Sequence, residues 1–343
     1  MKKKILVTGG TGYIGSHTVV ELIAEGFETV IVDNLCNSDF SVLDGIHAIT
    51  GVRPRFYDYD ICDPEKLDEI FRAEGKIDAI VHFAAFKAVG ESVKKPLEYY
   101  RNNLTGLINL LEMMERHNTP ALVFSSSCTV YGQPDTLPVT ESSPVREAAS
   151  PYGYTKQVGE IIIRDAMASR KEQRAISLRY FNPIGAHPTG YIGELPLGVP
   201  ENLVPYITQT AIGLREELRV FGDDYDTPDG SCIRDYLHVT DLARAHVVAL
   251  RRLIEGSNKA GYEVFNLGMG KGVSVFEVIK AFERATGVTL KYTVTGRRTG
   301  DIEKIWADPT LANRELNWKT EISLDEAMET AWRWENRIRE KKS

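Results

Sequence analysis

Short apolar runs alternate with longer amphipathic segments along the first half of the chain. The apolar runs cover residues 4–8, 29–32, 55–61, 78–85 and 121–124. Runs this short, bounded by glycine or polar residues, are typical of buried strands, and the segments between them have the period of helices. Strands and helices in regular alternation predict an α/β fold, a doubly wound parallel sheet with right-handed crossovers.

Glycines follow the first predicted strand at once and lead into a helical pattern over residues 14–25. Gly10, Gly12 and Gly15 fit the motif G-x-G-x-x-G. The spacing G-x-x-G-x-x-G is also met, starting from Gly9. Because glycine lacks a Cβ atom, such a loop lets a pyrophosphate approach the N-terminus of the helix. An ordinary glycine-rich turn is the competing interpretation, but the order of strand, glycines and helix favours a Rossmann-like dinucleotide site.

Acidic residues end the second and third predicted strands. Asp33 lies 18 residues beyond Gly15, a position from which an acid can accept hydrogen bonds from the adenosine ribose hydroxyls. The same charge would repel a 2′-phosphate, so NAD is favoured over NADP as the cofactor. Asp60 and Ile61 end the third predicted strand, where such residues can bracket an adenine ring.

The fourth apolar run ends in the small residues Ala84 and Ala85, which let a cofactor come close. Lys87 follows them and is either a ligand of a cofactor ribose or phosphate or a simple loop lysine. His82 lies inside the run, so core packing is favoured over catalysis for its ring. Asn102 lies near a leucine stripe of the next helical pattern, which suggests a buried hydrogen-bonding role.

A tyrosine and a lysine stand four residues apart at the head of a helical pattern that begins at Pro151. Tyr152 and Lys156 therefore share one helix face. A phenol titrates near pH ~10, and a nearby ammonium favours the phenolate, so Tyr152 is a candidate general base whose pKa Lys156 lowers. Ser127, after the fifth strand, can bond the hydroxyl that the phenolate deprotonates. Such pairs are common on helix surfaces, but the glycine loop, Asp33 and Ser127 favour catalysis.

Composition and charge narrow the class of protein. The chain has 41 Lys and Arg against 48 Asp and Glu, a net charge of -7, so neither nucleic acid nor an anionic membrane is an expected partner. No run approaches the roughly 18 apolar residues of a membrane span, and the first run is too short for a secretory signal. The four scattered cysteines lack a metal-binding spacing, so we expect reduced thiols, no metal and a cytoplasmic location.

The composition changes after a sixth predicted strand at residues 175–180. From residue 181 the chain is rich in proline and glycine, and long loops without a regular pattern are usually functional or flexible. We therefore predict an NAD-binding domain over residues 1–180 and a substrate-binding domain over residues 181–343.

This ordered set of motifs resembles the extended short-chain dehydrogenase/reductase family, and within it the branch of sugar-nucleotide 4-epimerases. The resemblance covers essentially the whole chain and also rests on residues 180–188 and 234–239. It implies NAD-dependent interconversion of UDP-glucose and UDP-galactose, an activity of galactose metabolism. Hydride would pass from C4 to tightly bound NAD and return to the opposite face, with Tyr152 handling the proton of the 4-hydroxyl. It further implies a homodimer, and that part of residues 235–266 packs back on the first domain.

The resemblance also assigns residues to the two ligands. The implied cofactor contacts are Gly9, Gly12, Tyr13, Ile14, Gly15, Asp33, Asn34, Asp60, Ile61, Phe83, Ala84, Ala85, Lys87, Asn102, Ser127, Tyr152, Lys156 and Tyr180. The implied substrate contacts are Ser127, Tyr152, Phe181, Asn182, Asn202, Leu203, Arg219, Val220, Phe221, Arg234, Arg298, Asp301 and Ile305. Arg234 and Arg298 are expected on the diphosphate because a guanidinium makes paired bonds to phosphate oxygens, although each could be a surface arginine. Asn202 has a competing role as the N-cap of the following helix.

Three alternatives remain at this point. Related dehydratases carry an acidic pair after the serine or threonine of the fifth strand, whereas Ser127 is followed by Cys128 and Thr129, so dehydration is disfavoured. Net oxidation of a nucleotide sugar would consume free cofactor. A module that senses NAD without chemistry would more often have lost Ser127, Tyr152 or Lys156. Ile305 is smaller than the tyrosine of restrictive relatives, which leaves acceptance of UDP-N-acetylglucosamine and UDP-N-acetylgalactosamine open.

Overall fold

A computed structural model describes residues 2–298 and 301–340 of the protein. Its strands, in chain order, are β1 (Lys4–Thr8), β2 (Glu28–Val32), β3 (Arg55–Tyr57), β4 (Ala79–His82), β5 (Ala121–Ser127), β6 (Arg174–Tyr180), β7 (Asn182–Ile184), β8 (Leu218–Phe221), β9 (Ile233–Arg234), β10 (Tyr236–His238), β11 (Tyr262–Leu267), β12 (Val273–Ser274) and β13 (Tyr292–Thr295).

The helices alternate with these strands. They are α1 (Tyr13–Ala24), α2 (Val42–Thr50), α3 (Pro64–Glu74), α4 (Val89–Lys94), α5 (Pro96–Arg116), α6 (Pro151–Ser169), α7 (Leu203–Ala211), α8 (Val239–Ile254), α9 (Val275–Thr286), α10 (Thr310–Glu315) and α11 (Leu324–Glu340). None of the helices within residues 2–298 and 301–340 is long and apolar enough to cross a membrane.

Seven parallel strands of the described chain form the central sheet. Their spatial order is β3-β2-β1-β4-β5-β6-β11, so the chain winds outward in one direction as far as β3 and then in the other from β4. Doubly wound sheets bind ligands where the order reverses, beyond the carboxyl ends of the strands. The predicted Rossmann-like parallel sheet is confirmed, and its reversal lies between β1 and β4.

Apolar side chains cover both faces of this sheet. Ile5 and Val7 belong to a core on the side of α1 and α8, whereas Leu6 belongs to a second core on the side of α3, α5 and α6. Successive side chains of a strand point to opposite faces, so a run of consecutive apolar residues is what a sheet covered on both sides requires. The strand ends, which carry the glycines, acids and serines, are left free to face a ligand.

The second half of the chain forms a smaller α/β unit around a third core. Short strand pairs (β7 with β10, β9 with β12, β8 with β13) pack with helices α7, α9 and α11. Residues 239–267 leave this unit, because α8 packs against α1 and β11 pairs in parallel with β6. The chain therefore leaves the first unit after β6, returns to it at α8 and leaves it again after β11, and the segment after β6 lies over the strand ends.

Three strands differ clearly in length from the prediction, and the run at 78–85 is a strand only over Ala79–His82. The run at 55–61 is a strand only over Arg55–Tyr57, because the carboxylate of Asp60 accepts a hydrogen bond from the Cys62 backbone N–H at 2.8 Å and the chain turns. The fifth strand continues beyond residue 124, since β6 pairs with it as far as Ser127. Pairing with a neighbour thus carries the serines along the sheet edge, although their polarity predicted a loop.

Candidate active site

A cavity of about 790 Å³ opens beyond the carboxyl ends of the central strands. The residues predicted for a cofactor or substrate that line it are Gly9, Gly12, Tyr13, Ile14, Gly15, Asp33, Asn34, Asp60, Ile61, Phe83, Ala84, Ala85, Lys87, Asn102, Ser127, Tyr152, Lys156, Tyr180, Phe181 and Asn202. They come from segments up to 193 residues apart in the chain, from Gly9 to Asn202. The sheet brings them together because parallel strands end at one edge.

The glycine loop brings bare backbone to one wall of this cavity. Gly12 is the N-cap of α1, and no side chain caps the helix there. Gly9 adopts φ +70°, and a Cβ atom on it would lie 2.7 Å from the Ala84 backbone nitrogen. A Cβ atom on Gly15 would lie 2.1 Å from the Gly9 carbonyl oxygen. The glycines are required for this close packing, and the helix N–H groups remain available to an anion.

Asp33 lies directly after β2 and lines the same cavity as the glycine loop. Its carboxylate accepts hydrogen bonds from the backbone N–H groups of Thr11 at 3.2 Å and Leu35 at 3.0 Å, and from the Ser38 hydroxyl at 3.3 Å. The side chain is therefore held in place while it lines the cavity. Glycine loop and oriented acid together fit a dinucleotide, with the pyrophosphate at the helix and a ribose at Asp33.

Helix α6 positions the tyrosine and the lysine. Ser150 is its N-cap and accepts a hydrogen bond from the Gly153 N–H at 3.2 Å. Lys156 is only 4% exposed, and its Nζ donates to the Ser125 carbonyl at 2.6 Å and lies 5.8 Å from the centre of the Tyr152 ring. Ser127 lies beside Tyr152 and acts to lower the pKa of its phenol. The structure therefore brings the three predicted catalytic residues to one point.

The direction of the Tyr152 pKa differs from the prediction. Burial raises the pKa of Tyr152 to about 12, and Ser127 offsets only part of this. Burial also lowers the pKa of Lys156 to about 8, with the Glu160 charge acting in the opposite direction. Removal from water penalises both charged forms, and it is the largest cause of each shift. The protein alone therefore holds a neutral phenol beside a readily neutralised lysine.

Asn103, and not Asn102, is the asparagine of this pair that α5 buries, as it also buries Asn109. Its Nδ2 donates to the Phe86 carbonyl and to the Thr155 hydroxyl, both at 3.0 Å, and its Oδ1 accepts from the Phe86 N–H at 2.8 Å. Asn102 lines the cavity and donates to the Asn103 side chain at 2.9 Å. Asn103 precedes Leu107 by one helical turn, so the leucine stripe contained the signal that identifies it.

Glu194 is a cavity residue that the sequence analysis missed. Its Oε1 accepts hydrogen bonds from Lys87 at 3.3 Å and from the Asn202 amide at 2.6 Å. Asn202 is the N-cap residue of α7, as the competing interpretation predicts, but its side chain makes no capping hydrogen bond. Glu194 lies in a proline-rich and glycine-rich loop where no period marks an inward-facing side chain.

The other predicted substrate residues lie outside the cavity lining. Arg298 lies over the Phe221 ring, 5.6 Å from its centre, and pairs with Asp301 at 2.6 Å. Arg234 donates to the Ile233 and Glu303 carbonyls. Asn182 is in β7, Leu203 begins α7, and Arg219 and Val220 are in β8, where Arg219 is exposed and Val220 is buried in the third core. Ile305 is 2% exposed and packs in the first core.

The side chains of the site are groups that can donate and accept protons. Within the described chain, no group of three or more His, Cys, Asp or Glu side chains is arranged to hold a metal ion. His82 packs on Phe124, and its Nδ1 bonds to the Thr8 hydroxyl at 2.7 Å. A phenol, a hydroxyl and an ammonium beside a dinucleotide cradle are suited to moving a hydroxyl proton while a cofactor exchanges a hydride.

Comparison with known proteins finds relatives that are sugar-nucleotide epimerases. The sequence model of the NAD dependent epimerase/dehydratase family matches residues 5–268. A UDP-glucose 4-epimerase of Bacillus subtilis (strain 168) is 51% identical over 332 residues, which cover 97% of this chain and 96% of that protein.

Solved structures extend the similarity to three dimensions. A UDP-glucose 4-epimerase from Stenotrophomonas maltophila with bound NAD and formylated UDP-arabinopyranose matches with a TM-score of 0.95 and 47% identity, covering 99% of each chain. The enzyme from Bifidobacterium longum in complex with NAD+ and UDP has a TM-score of 0.93 and 45% identity, covering 98% of each chain. With its fold, its cavity and these matches in agreement, the chain belongs to the NAD dependent epimerase/dehydratase family.

Proposed function

We propose that the protein is an NAD-dependent isomerase that interconverts UDP-glucose and UDP-galactose by inverting C4 of the hexose. The observation that carries the proposal is the meeting of Tyr152, Ser127 and Lys156 in a cavity that also contains the glycine loop and Asp33. Near-complete coverage by UDP-glucose 4-epimerases at about 50% identity supports the choice of substrate. Galactose metabolism in the cytoplasm is the setting that this activity indicates.

Tyr152, Ser127 and Lys156 have different roles in the transfer of the proton. NAD, when bound, supplies the hydride acceptor and donor and the positive charge of its oxidised ring. Tyr152 removes the proton of the 4-hydroxyl and later returns it. Ser127 bonds the phenol and orients the hydroxyl, while the Lys156 ammonium favours the phenolate. A buried phenol with a raised pKa returns its proton readily, as a reaction with no net redox change requires.

The positions after Ser127 favour epimerisation over dehydration. Burial raises the pKa of the Cys128 thiol to about 11, so the thiol stays protonated near neutral pH. The adjacent Thr129 hydroxyl is not an acid or base in that range. Neither side chain is suited to remove a proton from a neighbouring carbon, and the 4-keto sugar therefore persists until hydride returns.

The nucleotide of the substrate would be held by the second half of the chain. Phe221 is exposed beneath the Arg298 guanidinium, a pair that can take a uracil ring on its face. Arg234, Arg298 and Asp301 are proposed to bind the diphosphate and ribose. Division of the chain into a cofactor domain over 1–180 and a substrate domain over 181–343 follows from this assignment, with residues 239–267 packed on the first domain.

The decisive experiment uses the purified protein without added cofactor. We expect NAD to be released on denaturation and UDP-galactose to be converted into UDP-glucose without accumulation of NADH. Accumulated NADH, a stable keto product or a need for free NAD would contradict the proposal and indicate net oxidation or dehydration. The same assay with UDP-N-acetylglucosamine measures whether the site accepts an N-acetyl group.

A homodimer through α5 and α6 is also proposed. The two helices pack side by side, and their outer surfaces expose the apolar side chains of Leu97, Ile108 and Ile161. Apolar groups on adjacent helices favour burial against a second copy. We expect twice the chain mass in analytical ultracentrifugation and a shift toward the monomer for Ile108→Glu. A monomeric wild-type protein would contradict this assignment.

A further inference from the structure

A buried ion pair lies one helical turn beyond Lys156, and the proposed reaction does not use it. Glu160 and Arg179 have side chains that are 9% and 8% exposed. Arg179 donates to both carboxylate oxygens, from Nη2 to Oε2 at 2.6 Å and from Nε to Oε1 at 2.9 Å. Buried ion pairs are weak sources of stability, since apolar replacements often fold as well. The position of the pair therefore calls for a role other than stability.

The pair connects the catalytic helix to the strand that carries the serines. Ser126, between the two serines of the site, donates its hydroxyl proton to Glu160 Oε1 at 2.5 Å. Lys156 bonds to the carbonyl of Ser125 on the same strand. Glu160 therefore holds α6 to β5 directly behind Ser127.

Arg179 extends the connection to the segment that follows Ser127. It pairs in register with Ser126 across β5 and β6. Its Nη1 donates to the hydroxyl of Tyr131 at 3.0 Å, and that hydroxyl donates to Asn266 Oδ1 at 2.6 Å. Tyr131 ends the 3-10 turn Cys128–Tyr131, which begins immediately after Ser127. Both sides of the serine are thus attached to the ion pair.

The charge of Glu160 also acts on the lysine. Tyr152, Lys156 and Glu160 are spaced by four residues and lie on one face of α6. The carboxylate favours the ammonium form of Lys156, against the effect of burial.

The other titratable groups near Lys156 do not supply this negative charge. His82 on β4 is kept neutral by burial, which lowers its pKa to about 3. Tyr180 on β6 reaches the lysine through Ser125, and Tyr152 is a neutral phenol. The Arg179 guanidinium is positive and bound to Glu160.

We propose that Glu160, held by Arg179, is a positioning residue of the active site. It keeps Lys156 protonated at working pH and holds the Tyr152 helix in register with the Ser127 strand. The turnover readout of this inference rests on the proposed function.

Glu160→Gln tests the charge, and the chain offers a matched control. Glu263 on β11 and Arg252 on α8 form a second ion pair of the same geometry, with bonds of 2.7 and 2.9 Å and side chains 11% and 9% exposed. Loss of the Glu160 charge lowers the pKa of Lys156, so the ammonium is lost at a lower pH. In Glu160→Gln, we expect the alkaline limb of the pH profile of kcat to lie about one pH unit lower than in the wild type. In Glu263→Gln, we expect this limb to be unchanged.

A second measurement is independent of the substrate. The ammonium of Lys156 is titrated through the 13Cε signal of isotope-labelled lysine, and the same variant carrying Lys156→Met identifies that signal. With Glu160→Gln, we expect Lys156 to titrate at a lower pH than in the wild type. This readout separates the inference from the proposed function, because it gives an answer even if UDP-galactose is not converted.

A lone buried Arg179 charge could prevent folding of the single variant. The double variant Glu160→Gln/Arg179→Met removes both charges and avoids an unpaired one. It should shift both readouts in the same direction but by less, because the Arg179 charge that opposes the Glu160 charge is lost as well. In either variant, a fall in kcat that is equal at all pH values, or an unchanged Lys156 titration, would mean that the pair is only structural and would overturn the proposal.

Discussion

Tyr152→Phe is expected to lower kcat for UDP-galactose by about 10²–10⁴-fold, the usual contribution of a general base. Only the hydroxyl is removed, so the ring keeps its packing at the head of α6 and the fold is retained. The glycine loop and Asp33 are untouched, and we expect the variant to carry as much NAD as the wild type. Steady-state kinetics and the NAD content after denaturation measure both effects.

Tyr154→Phe is the matched control for this substitution. Tyr154 lies two residues further along α6, and its hydroxyl donates to Glu147 at 3.2 Å outside the cavity lining. Its loss should leave kcat within about twofold, as expected for a surface substitution worth less than ~0.5 kcal/mol. If Tyr152→Phe has the same kcat as the wild type, another group removes the proton of the 4-hydroxyl.

Gly15→Ala is expected to weaken NAD binding at least about tenfold, which corresponds to about 1.4 kcal/mol. The added Cβ atom would lie 2.1 Å from the Gly9 carbonyl oxygen, a backbone atom that cannot rotate away. The loop must therefore shift from the geometry that admits a pyrophosphate, at an overpacking cost of about 1–3 kcal/mol. Calorimetric titration of the NAD-free protein and its Tm measure the two effects separately.

Gly261→Ala controls for the loss of a glycine as such. The atom nearest to a Cβ there is the Met167 carbonyl oxygen at 3.9 Å, and the backbone is outside the left-handed region. This variant should bind NAD as the wild type does. If Gly15→Ala binds NAD with unchanged affinity, the close packing of the glycine loop is not what shapes the cofactor site.

Residues whose role depends on local spacing could be found from the sequence. Strand, glycines and helix follow one another without interruption from residue 4, and the four-residue spacing of Tyr152 and Lys156 defines a helix face by itself. The predicted fold class is confirmed by the sheet order, and the predicted family by the comparisons. The detailed roles of the individual site residues remain predictions that the proposed experiments address.

Residues whose role depends on contacts across the fold were missed or misplaced. Glu194 meets Lys87 and Asn202 through a loop without a period. Asn103, adjacent to the predicted Asn102, is buried because α5 faces Thr155 on α6. Glu160 lies on the same helix face as Tyr152, but its partner Arg179 is on a strand and carries no motif.

By itself, the sequence determined the parallel sheet, the dinucleotide loop and the phenol proposed as the base, because these depend on the period and order of neighbouring residues. Only the tertiary structure decided how those groups ionise. Burial raises the pKa of Tyr152 and lowers that of Lys156, opposite to the tyrosine shift that the spacing alone predicts. Desolvation depends on everything packed around a charge, including β5, β6 and the Glu160–Arg179 pair, and linear spacing contains no measure of it.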